Sequence, residues 1–425
     1  MTIPFTFLHA ADLHLDSPFR GLARAPKAVR ERLKESTFAS FEKLVSLSRL
    51  EKVDFVVLAG DLYDAADRSL RAQLRMQKQL TLLAEDGIPV FIVHGNHDPE
   101  NGWQARLDYP EQVTVFGSRR VEFRAVDNRR GERIAHVYGI SYREAAVREN
   151  LAAGFEKKEG APFHLALLHA NVDGDAAHDN YAPCRLSELA GKGFDYWALG
   201  HVHGRRVLGE SPHVVYPGNS QGRSIREIGP KGGYVVSVSE TGDVSLSFRD
   251  TADVLWTELA VSIEGIRTEQ ELKGRLEAAM TAAAAEAGGR PVVLRLRLEG
   301  AGVQHDSLQS PQVVAEWLES LREWYGSPDE SDAWVWLDSL DVRTRPELGG
   351  TDPAEGDGFL AELLRQARSA EADGSEGRRL LEEALEPALR QPKLREWTLS
   401  LGDERRSELI GQAARLAAAL LREKE

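Results

Sequence analysis

The chain of 425 residues is longer than one hydrophobic core usually supports, so its length predicts two or three domains. Its 53 basic and 67 acidic side chains give a formal charge of -14, which excludes a generally basic, nucleic-acid-coating surface and requires local capture of any polyanionic substrate. The single cysteine, Cys184, excludes an internal disulfide, and no apolar run approaches the roughly 20 residues of a membrane span, so we expect a cytoplasmic protein with no membrane partner.

Buried strands and helices alternate over the first hundred residues. Apolar runs at Phe5–His9, Asp54–Ala59 and Val90–Val93 each end in a polar turn, as buried strands do. Between them, Lys27–Leu50 carries apolar side chains at helical spacing, and a second helical pattern follows Asp67 and continues to Leu83. This alternation predicts a layered α/β core.

Four further apolar runs are separated by Gly, Pro and Asn turns, which predicts strands with few helices between them. The runs are His164–Leu168, Tyr196–Leu199, Val214–Tyr216 and Tyr234–Val238. Together with the first hundred residues they predict a two-sheet β-sandwich flanked by helices over residues 1–253.

The pattern changes near Ala252, where a β-α-β-α-β order predicts a small α+β cap domain at residues 254–345. Its predicted elements are Leu255–Ile263, Thr268–Glu286, Val292–Leu298, Val313–Trp324 and Ala333–Leu340. Residues 346–358 are rich in Gly, Pro and acidic side chains and predict a linker, followed by a helical C-terminal region at 359–425. Its last helix places Leu409, Ala413, Leu416 and Leu420 on one face, which favours docking on the body of the chain or on a partner.

Five short polar motifs occur where a strand gives way to a loop. They are Asp12-Leu13-His14, Gly60-Asp61, Gly95-Asn96-His97-Asp98, His169, and Gly200-His201-Val202-His203. Each alone has an ordinary explanation, such as a surface loop, a turn aspartate or a structural histidine. Because loops at the carboxyl ends of strands converge on one edge of an α/β sheet, five such motifs in order predict a shared metal site.

These motifs resemble those of the calcineurin-like metallophosphoesterases. The resemblance implies two cations, one bound by Asp12, His14 and His203, the other by Asn96, His169 and His201, with Asp61 bridging both. A set of nitrogen and oxygen ligands without thiolate suits Mn²⁺, Fe or Zn²⁺ better than Ca²⁺, and we expect Mn²⁺.

The predicted chemistry is in-line hydrolysis of a phosphate ester. Paired cations activate a shared water and stabilise the attacking and leaving oxygens, and they supply the positive charge that the acidic chain otherwise lacks. His97 is the expected catalytic residue that stabilises the developing charge or protonates the leaving oxygen, and Asp98 is expected to orient its imidazole.

Two segments resemble the bacterial SbcD and YhaO-like nuclease branch of the family. They are the run from His9 to Phe19 and the run from Tyr216-Pro217-Gly218-Asn219-Ser220 through Arg223 and Glu227 to Lys231-Gly232-Gly233. The resemblance implies a Mn²⁺-dependent phosphodiesterase acting on DNA in repair, as an exonuclease. It also implies a homodimer formed through Lys27–Leu50 or the helix after Asp67, and an SMC-like ATPase partner that meets the C-terminal helices.

Two positions depart from the pattern of this branch. Asp64 stands where archaeal and eukaryotic relatives have a histidine tied to exonuclease action, which leaves the polarity of cleavage open, and Asn219 fits the YhaO-like pattern better than that of SbcD. Six arginines are candidates for contacts to the DNA backbone or for ordinary surface ion pairs. They are Arg119, Arg120, Arg205, Arg206, Arg223 and Arg226.

The sequence leaves two other functions open. One is a subunit that binds DNA ends with little turnover, although the complete ligand set argues against it. The other is a nucleotide or cyclic-nucleotide phosphodiesterase, which activity on small substrates without the cap would favour.

Overall fold

The computed structural model describes residues 2–19, 25–175, 179–324, 332–347 and 358–372, with scattered positions between 379 and 417. The chain divides into two compact units. The first comprises Met1–Leu259, Met280–Arg295 and Arg322–Ser339, and the second comprises Ala260–Ala279, Leu296–Leu321 and Leu340–Glu425. Most of the predicted linker and of the C-terminal region, including Leu416 and Leu420, lies outside the described residues, and the predicted domain boundaries stay predictions.

A six-stranded sheet forms the first layer of the core. Its strands are β1 (Phe5–Ala10), β2 (Phe55–Ala59), β3 (Val90–Val93), β4 (Val113–Val115), β11 (Gly232–Val238) and β12 (Val244–Asp250). The spatial order is β12-β11-β1-β2-β3-β4, and β1 to β4 are parallel. The first three strands are almost wholly buried because both faces of the sheet are covered.

A second six-stranded sheet packs face to face with the first. Its strands are β5 (Glu122–Asp127), β6 (Arg133–Gly139), β7 (His164–His169), β8 (Tyr196–Gly200), β9 (Arg206–Glu210) and β10 (His213–Tyr216), in the order β5-β6-β7-β8-β10-β9. The interface between the sheets is aromatic: the ring of Phe7 stacks on Phe55 at 5.0 Å and meets Tyr196 of the other sheet edge-on at 5.2 Å. The predicted α/β class and two-sheet sandwich are confirmed.

Helices cover the outer faces of the sandwich. They are α1 (Lys27–Leu50) and α2 (Leu70–Glu85) on the first sheet and the short α3 (Leu186–Ala190) on the second. α1 buries Phe38, Phe41 and Leu44 against the first sheet, as its helical spacing requires. Ser69 precedes α2 and caps it, because its hydroxyl accepts a hydrogen bond from Ala72 N at 3.0 Å.

The later part of the chain forms a three-stranded sheet. Its elements are β13 (Leu255–Ser262), α4 (Glu269–Glu286), β14 (Val292–Glu299), α5 (His305–Leu308), α6 (Pro311–Trp324) and β15 (Val335–Val342), with strand order β13-β14-β15, followed by α7 (Phe359–Ala372). The predicted order of strands and helices is therefore confirmed, except that the short helix α5 was not predicted. Among the described residues no helix is both long and apolar enough to cross a membrane.

Candidate metal centre

The carboxyl ends of five strands from the two sheets meet at one edge of the sandwich. The tip of β2 touches the ends of β7 and β8: Nδ1 of His169 donates a hydrogen bond to the carbonyl of Ala59 at 2.8 Å. At Gly200, the last residue of β8, a Cβ atom would lie 1.8 Å from the same carbonyl, so only glycine allows this approach. The sequence motifs that follow these strands therefore lie side by side.

Four of the motif residues have a backbone conformation that is uncommon for residues other than glycine. Asp12, His14, Asp61 and His201 all have positive φ, at 51°, 44°, 53° and 103°. Such conformations cost L-residues roughly 1 kcal/mol or more each and persist where the surrounding structure imposes them. Here the loops after β1 and β2 hold each other in place, since Asp12 N donates to Gly60 O and His14 N donates to Asp61 O, both at 3.0 Å.

One group of ligand atoms comes from Asp12, His14 and His203, all within 4.8 Å of one another. The Nε2 atoms of His14 and His203 lie 3.2 Å apart. Two nitrogens bound at about 2.1 Å to one cation lie roughly 3 to 3.4 Å apart, so this spacing fits a shared metal ion.

A second group comes from Asn96, His169 and His201. The Oδ1 atom of Asn96 lies 3.1 Å from Nε2 of His169 and 3.1 Å from Nδ1 of His201. An amide oxygen between two imidazole nitrogens is a suitable donor set for a transition metal. The carboxylate of Asp61 lies between the two groups, because its Oδ2 is 3.4 Å from His169 Nε2 and 3.8 Å from His14 Nε2. The structure thus brings together all seven predicted ligands, in an arrangement that fits two cations with Asp61 between them.

Each histidine is held by its second ring nitrogen. His203 Nδ1 donates to Glu227 Oε1 at 2.7 Å, and His201 Nε2 donates to the carbonyl of Asp179 at 2.7 Å. Such contacts fix the tautomer and turn the other nitrogen toward the metal. In the sequence, Glu227 was notable only as part of a segment that resembles the SbcD and YhaO-like branch. Nothing in the spacing of Glu227 and His203 indicated that the two side chains are in contact.

Burial and mutual attraction set the charges in this centre. Burial raises the pKa of Asp12. Burial also acts to raise the pKa of Asp61, but the neighbouring His169, His97 and His14 outweigh it and hold the value well below the usual range. For His169, burial lowers the pKa, yet the carboxylates of Asp61 and Asp12 outweigh it and raise the pKa to about 9. Buried carboxylates need a positive charge beside them, and divalent cations bind at sites that offer such carboxylates.

His97 lies at the open side of the centre. Its side chain is 43% exposed, and its Nδ1 donates to Asp64 Oδ1 at 2.6 Å. Its ring meets the ring of His14 edge-on at 4.8 Å, and its backbone N donates to Asp61 Oδ1 at 2.9 Å. The ring is therefore exposed to solvent while the backbone is tied to the bridging carboxylate.

The prediction that Asp98 orients His97 is wrong, because the partner of His97 is Asp64. Asp98 is fully buried, and its carboxylate accepts hydrogen bonds that tie the loop after β2 to the loop after β3. The donors are Asp61 N, Leu62 N, Gly95 N and His94 Nδ1 at 3.2, 3.0, 2.7 and 3.1 Å. Asp98 thus points into the protein, where it accepts hydrogen bonds from its own loop, while His97 faces out.

The six candidate arginines have different surroundings. Arg206 forms an ion pair with Asp175, and the guanidinium of Arg205 lies 4.0 Å from the ring centre of Phe248. Arg119, Arg120 and Arg226 are exposed. Arg223 is half-buried, and its charge acts on His14 and His97.

Two family models match the chain. The model of the calcineurin-like phosphoesterases matches residues 5–205, and the model of the middle domain of metallophosphoesterase YhaO matches residues 256–345. Among curated proteins, the uncharacterized metallophosphoesterase YhaO of Bacillus subtilis is 41% identical over 380 residues, covering 88% of this chain and 91% of that protein.

More distant relatives are named as DNA double-strand break repair proteins Mre11. The protein from Sulfolobus acidocaldarius is 28% identical over 200 residues, and the alignment covers 47% of this chain and 50% of that protein, so the likeness spans about half of its length. Among solved structures, a dimetal phosphatase from Danio rerio aligns at a TM-score of 0.37 and 14% identity, over 58% of this chain and 96% of that one.

The 41% identity extends over nearly the whole of both chains, and the matched phosphoesterase region contains all seven clustered ligands. The chain therefore belongs to the calcineurin-like metallophosphoesterases, hydrolases with a dimetal site, and it carries the middle domain of the YhaO type.

Proposed function

We propose that the chain is a Mn²⁺-dependent phosphodiesterase that hydrolyses DNA phosphodiester bonds in DNA repair, as an exonuclease. The observation that carries the proposal is the pair of donor groups on either side of Asp61, with the exposed imidazole of His97 beside them. The similarity of the first half of the chain to proteins named for double-strand break repair supports DNA as the substrate.

The assignment of ligands follows the two groups. Asp12, His14 and His203 would hold one cation, Asn96, His169 and His201 would hold the other, and Asp61 would contribute to both sites. When bound, the cations supply Lewis-acid polarisation of the phosphate and activation of water. The protein's own part is to hold the ligands rigidly, through Glu227, Ala59 and the carbonyl of Asp179, and to exclude solvent from the carboxylates.

His97 acts as the acid that protonates the leaving oxygen. Burial lowers the pKa of its imidazole, but the hydrogen bond to Asp64 and the charge of Asp61 outweigh this and raise the pKa to about 9. In the metal-free protein the ring of His97 therefore carries both protons at neutral pH. Asp64 accepts the Nδ1 proton, which leaves the Nε2 proton for transfer to the departing oxygen.

We also propose that residues 254–345 form a cap that confers preference for polynucleotides, and that the enzyme works as a homodimer with an SMC-like ATPase partner. The match of residues 256–345 to a separate family model supports an independent role for the cap. Exposed leucines on α2, Leu70 at 49% and Leu74 at 45%, support a helical dimer surface, because isolated monomers rarely expose apolar side chains in a row on one helix.

The experiment that tests the proposal uses the full chain loaded with Mn²⁺. It is incubated with end-labelled single- and double-stranded DNA, with bis(p-nitrophenyl) phosphate and with p-nitrophenyl phosphate. Shortening of labelled DNA together with diester cleavage supports the proposal. Binding of DNA ends without hydrolysis of any substrate indicates an end-binding subunit, and hydrolysis of the aromatic esters without DNA cleavage indicates a phosphodiesterase for small nucleotides.

A further inference from the structure

The loop between β10 and β11, residues 217–231, is fixed at several points beside the metal centre. Gln221 is buried and ties it to the following segment: its Oε1 accepts from Asp253 N at 2.7 Å, and its Nε2 donates to Val254 O at 2.7 Å. From α1, the hydroxyl of Ser40 donates to the carbonyl of Ser220 at 2.6 Å. A side chain that leaves this loop therefore starts from a fixed position.

Glu227 links the same loop to a metal ligand. One carboxylate oxygen accepts from Nδ1 of His203 at 2.7 Å, and the other accepts from the backbone N of Arg223 at 2.7 Å and from Nδ2 of Asn219 at 2.9 Å. The group that orients His203 thus also fixes the main chain of Arg223. Both oxygens of Glu227 are occupied by these donors.

Gly222 sets the path of the chain into Arg223. A Cβ atom there would lie 2.8 Å from the carbonyl oxygen of Glu227 and 2.9 Å from Cδ1 of Trp256. The loop can pack this closely only with glycine at this position. The start of the Arg223 side chain is held between this contact and the hydrogen bond to Glu227.

The guanidinium of Arg223 forms no ion pair among the described residues, although its charge is near enough to Glu227 to help lower the pKa of that carboxyl. Its Nε atom is buried and has no hydrogen-bond partner among the residues that the structure describes. Its positive charge acts on both His14 and His97, whose rings meet edge-on at 4.8 Å. A buried guanidinium N–H that lacks an acceptor is costly, so this position favours an incoming anion.

We propose that Arg223 is a catalytic residue that donates hydrogen bonds to a non-bridging oxygen of the phosphate bound at the metal centre. The inference rests on the proposed function, since it assigns a phosphate contact within the same site. During hydrolysis an oxygen of water bonds to phosphorus, the bond to the leaving oxygen breaks and that oxygen takes a proton. Arg223 exchanges no proton and stabilises the negative charge on the phosphoryl oxygens. A planar guanidinium suits this contact because it can donate two parallel hydrogen bonds.

The test compares Arg223→Gln and Arg223→Lys with Arg226→Gln as the matched control. Arg226 lies three residues further along the same loop and is exposed, and its backbone N donates a hydrogen bond to the hydroxyl of Ser224 at 3.3 Å. Binding of inorganic phosphate to the Mn²⁺-loaded protein is measured by calorimetry, which needs no turnover. Metal content and cleavage of bis(p-nitrophenyl) phosphate are measured on the same samples.

We expect Arg223→Gln to weaken phosphate binding by about 10-fold or more and to lower kcat/KM by about 10²-fold, with metal content unchanged. Arg223→Lys should recover part of both losses. Arg226→Gln should match the parent in phosphate affinity and in cleavage of this small diester, because neither assay involves a contact to a DNA backbone. Unchanged phosphate affinity in Arg223→Gln overturns the proposal, and so does loss of metal together with phosphate, which assigns the residue to support of Glu227 and His203. A parent protein that binds phosphate but cleaves neither ester nor DNA refutes the proposed function, while the calorimetry still decides the role of Arg223.

Discussion

The Nδ1 atom of His97 donates a hydrogen bond to the carboxylate of Asp64 across 2.6 Å. The same carboxylate lies 3.2 Å from Nδ1 of His14 and accepts a hydrogen bond from the hydroxyl of Ser17. One acidic side chain therefore connects the residue proposed as the acid with a proposed metal ligand. Asp64 is therefore the side chain that contacts His97 at the open side of the centre.

The contact predicts a pH effect for Asp64→Asn. The amide keeps an acceptor for His97 but removes one of the two negative charges that, against the effect of burial, raise the pKa of His97 to about 9; the charge of Asp61 remains. An acid catalyst works only while it is protonated, so kcat falls as the pH rises past the pKa of the acid. A lower pKa of His97 therefore moves this fall in kcat to lower pH. We expect kcat at neutral pH to fall about 10-fold, measured at saturating Mn²⁺ because His14 also contacts Asp64. An alkaline limb of kcat that stays where it is in the parent would count against this role.

His97 and His201 should respond differently to removal. His97→Ala should keep both cations and bind DNA normally while the single-turnover rate falls about 10² to 10⁴-fold, as for loss of a proton donor or charge-stabilising group. His201→Ala should lose metal along with activity, because its Nδ1 faces Asn96 Oδ1 at 3.1 Å in the second ligand group. Metal titration by calorimetry on both variants decides the matter. If His97→Ala lost a cation while His201→Ala kept both, the two roles would have to be exchanged.

Asp61→Asn tests the bridging position. The carboxylate oxygen Oδ2 is 3.4 Å from one ligand group and 3.8 Å from the other, and an amide there brings no negative charge to balance two cations. We expect Mn²⁺-dependent hydrolysis to be abolished and the bound metal, measured by elemental analysis, to drop. A variant that matches the parent in both measurements would show that Asp61 does not join the two sites.

The strand ends that carry the motifs were predictable from the sequence, because buried parallel strands are continuous apolar runs and the polar residue that follows marks the tip. β1, β2 and β3 are of this kind, and their motifs meet as expected. β5 went unpredicted because it lies at a sheet edge with Phe123 and Arg124 exposed, so its sequence shows no buried run.

Contacts between loops could not be predicted in the same way. Asp64 and His97 are 33 positions apart and His203 and Glu227 are 24 apart, and no periodicity connects residues on different loops. The prediction for Asp98 failed for this reason, since it relied on the residue adjacent in sequence. The side chain that reaches His97 comes instead from the loop after β2, whose path depends on the positive φ of Asp61.

Glu227→Gln should weaken Mn²⁺ binding without removing a ligand. The carboxylate at 2.7 Å from His203 Nδ1 makes the imidazole a stronger donor and holds its orientation, and loss of such a partner typically lowers metal affinity about 10 to 100-fold. Calorimetric titration with Mn²⁺ measures the change. The control is Glu210→Gln, an exposed carboxylate at the end of β9, which should bind Mn²⁺ as the parent does. Equal affinities in the two variants would remove Glu227 from the metal centre.

His9 predicts how the stability of the metal-free protein depends on pH. This residue of β1 is fully buried, its Nδ1 lies 3.0 Å from the hydroxyl of Tyr196, and its Nε2 has no partner among the described residues. Burial lowers its pKa to about 3, against a small opposing effect from the backbone of Leu199. The folded state therefore holds the ring neutral, whereas the unfolded chain takes up a proton near pH 6.5.

The direction of the change in unfolding free energy follows from the number of protons that His9 binds in the folded and in the unfolded state. Between pH 6.5 and pH 3 the unfolded state binds more protons at His9 than the folded state does, so the free energy of unfolding falls as pH falls through this window. Above pH 6.5 both states are neutral and the contribution is constant. The two pKa values set an upper limit of about 5 kcal/mol on the total loss, of which about 2 kcal/mol is reached by pH 5.

Chemical unfolding of EDTA-treated protein at pH 7 and pH 5 measures this loss. His9→Gln keeps a hydrogen-bonding group for Tyr196 but does not titrate, so the drop in unfolding free energy between the two pH values should be smaller than in the parent by up to about 2 kcal/mol. His14 and His164, whose burial lowers the pKa of each to about 4, account for part of the remaining drop. His213→Gln serves as the control, because the imidazole of His213 is only partly buried. The same pH dependence in the parent and in His9→Gln would mean that His9 is protonated within the folded core.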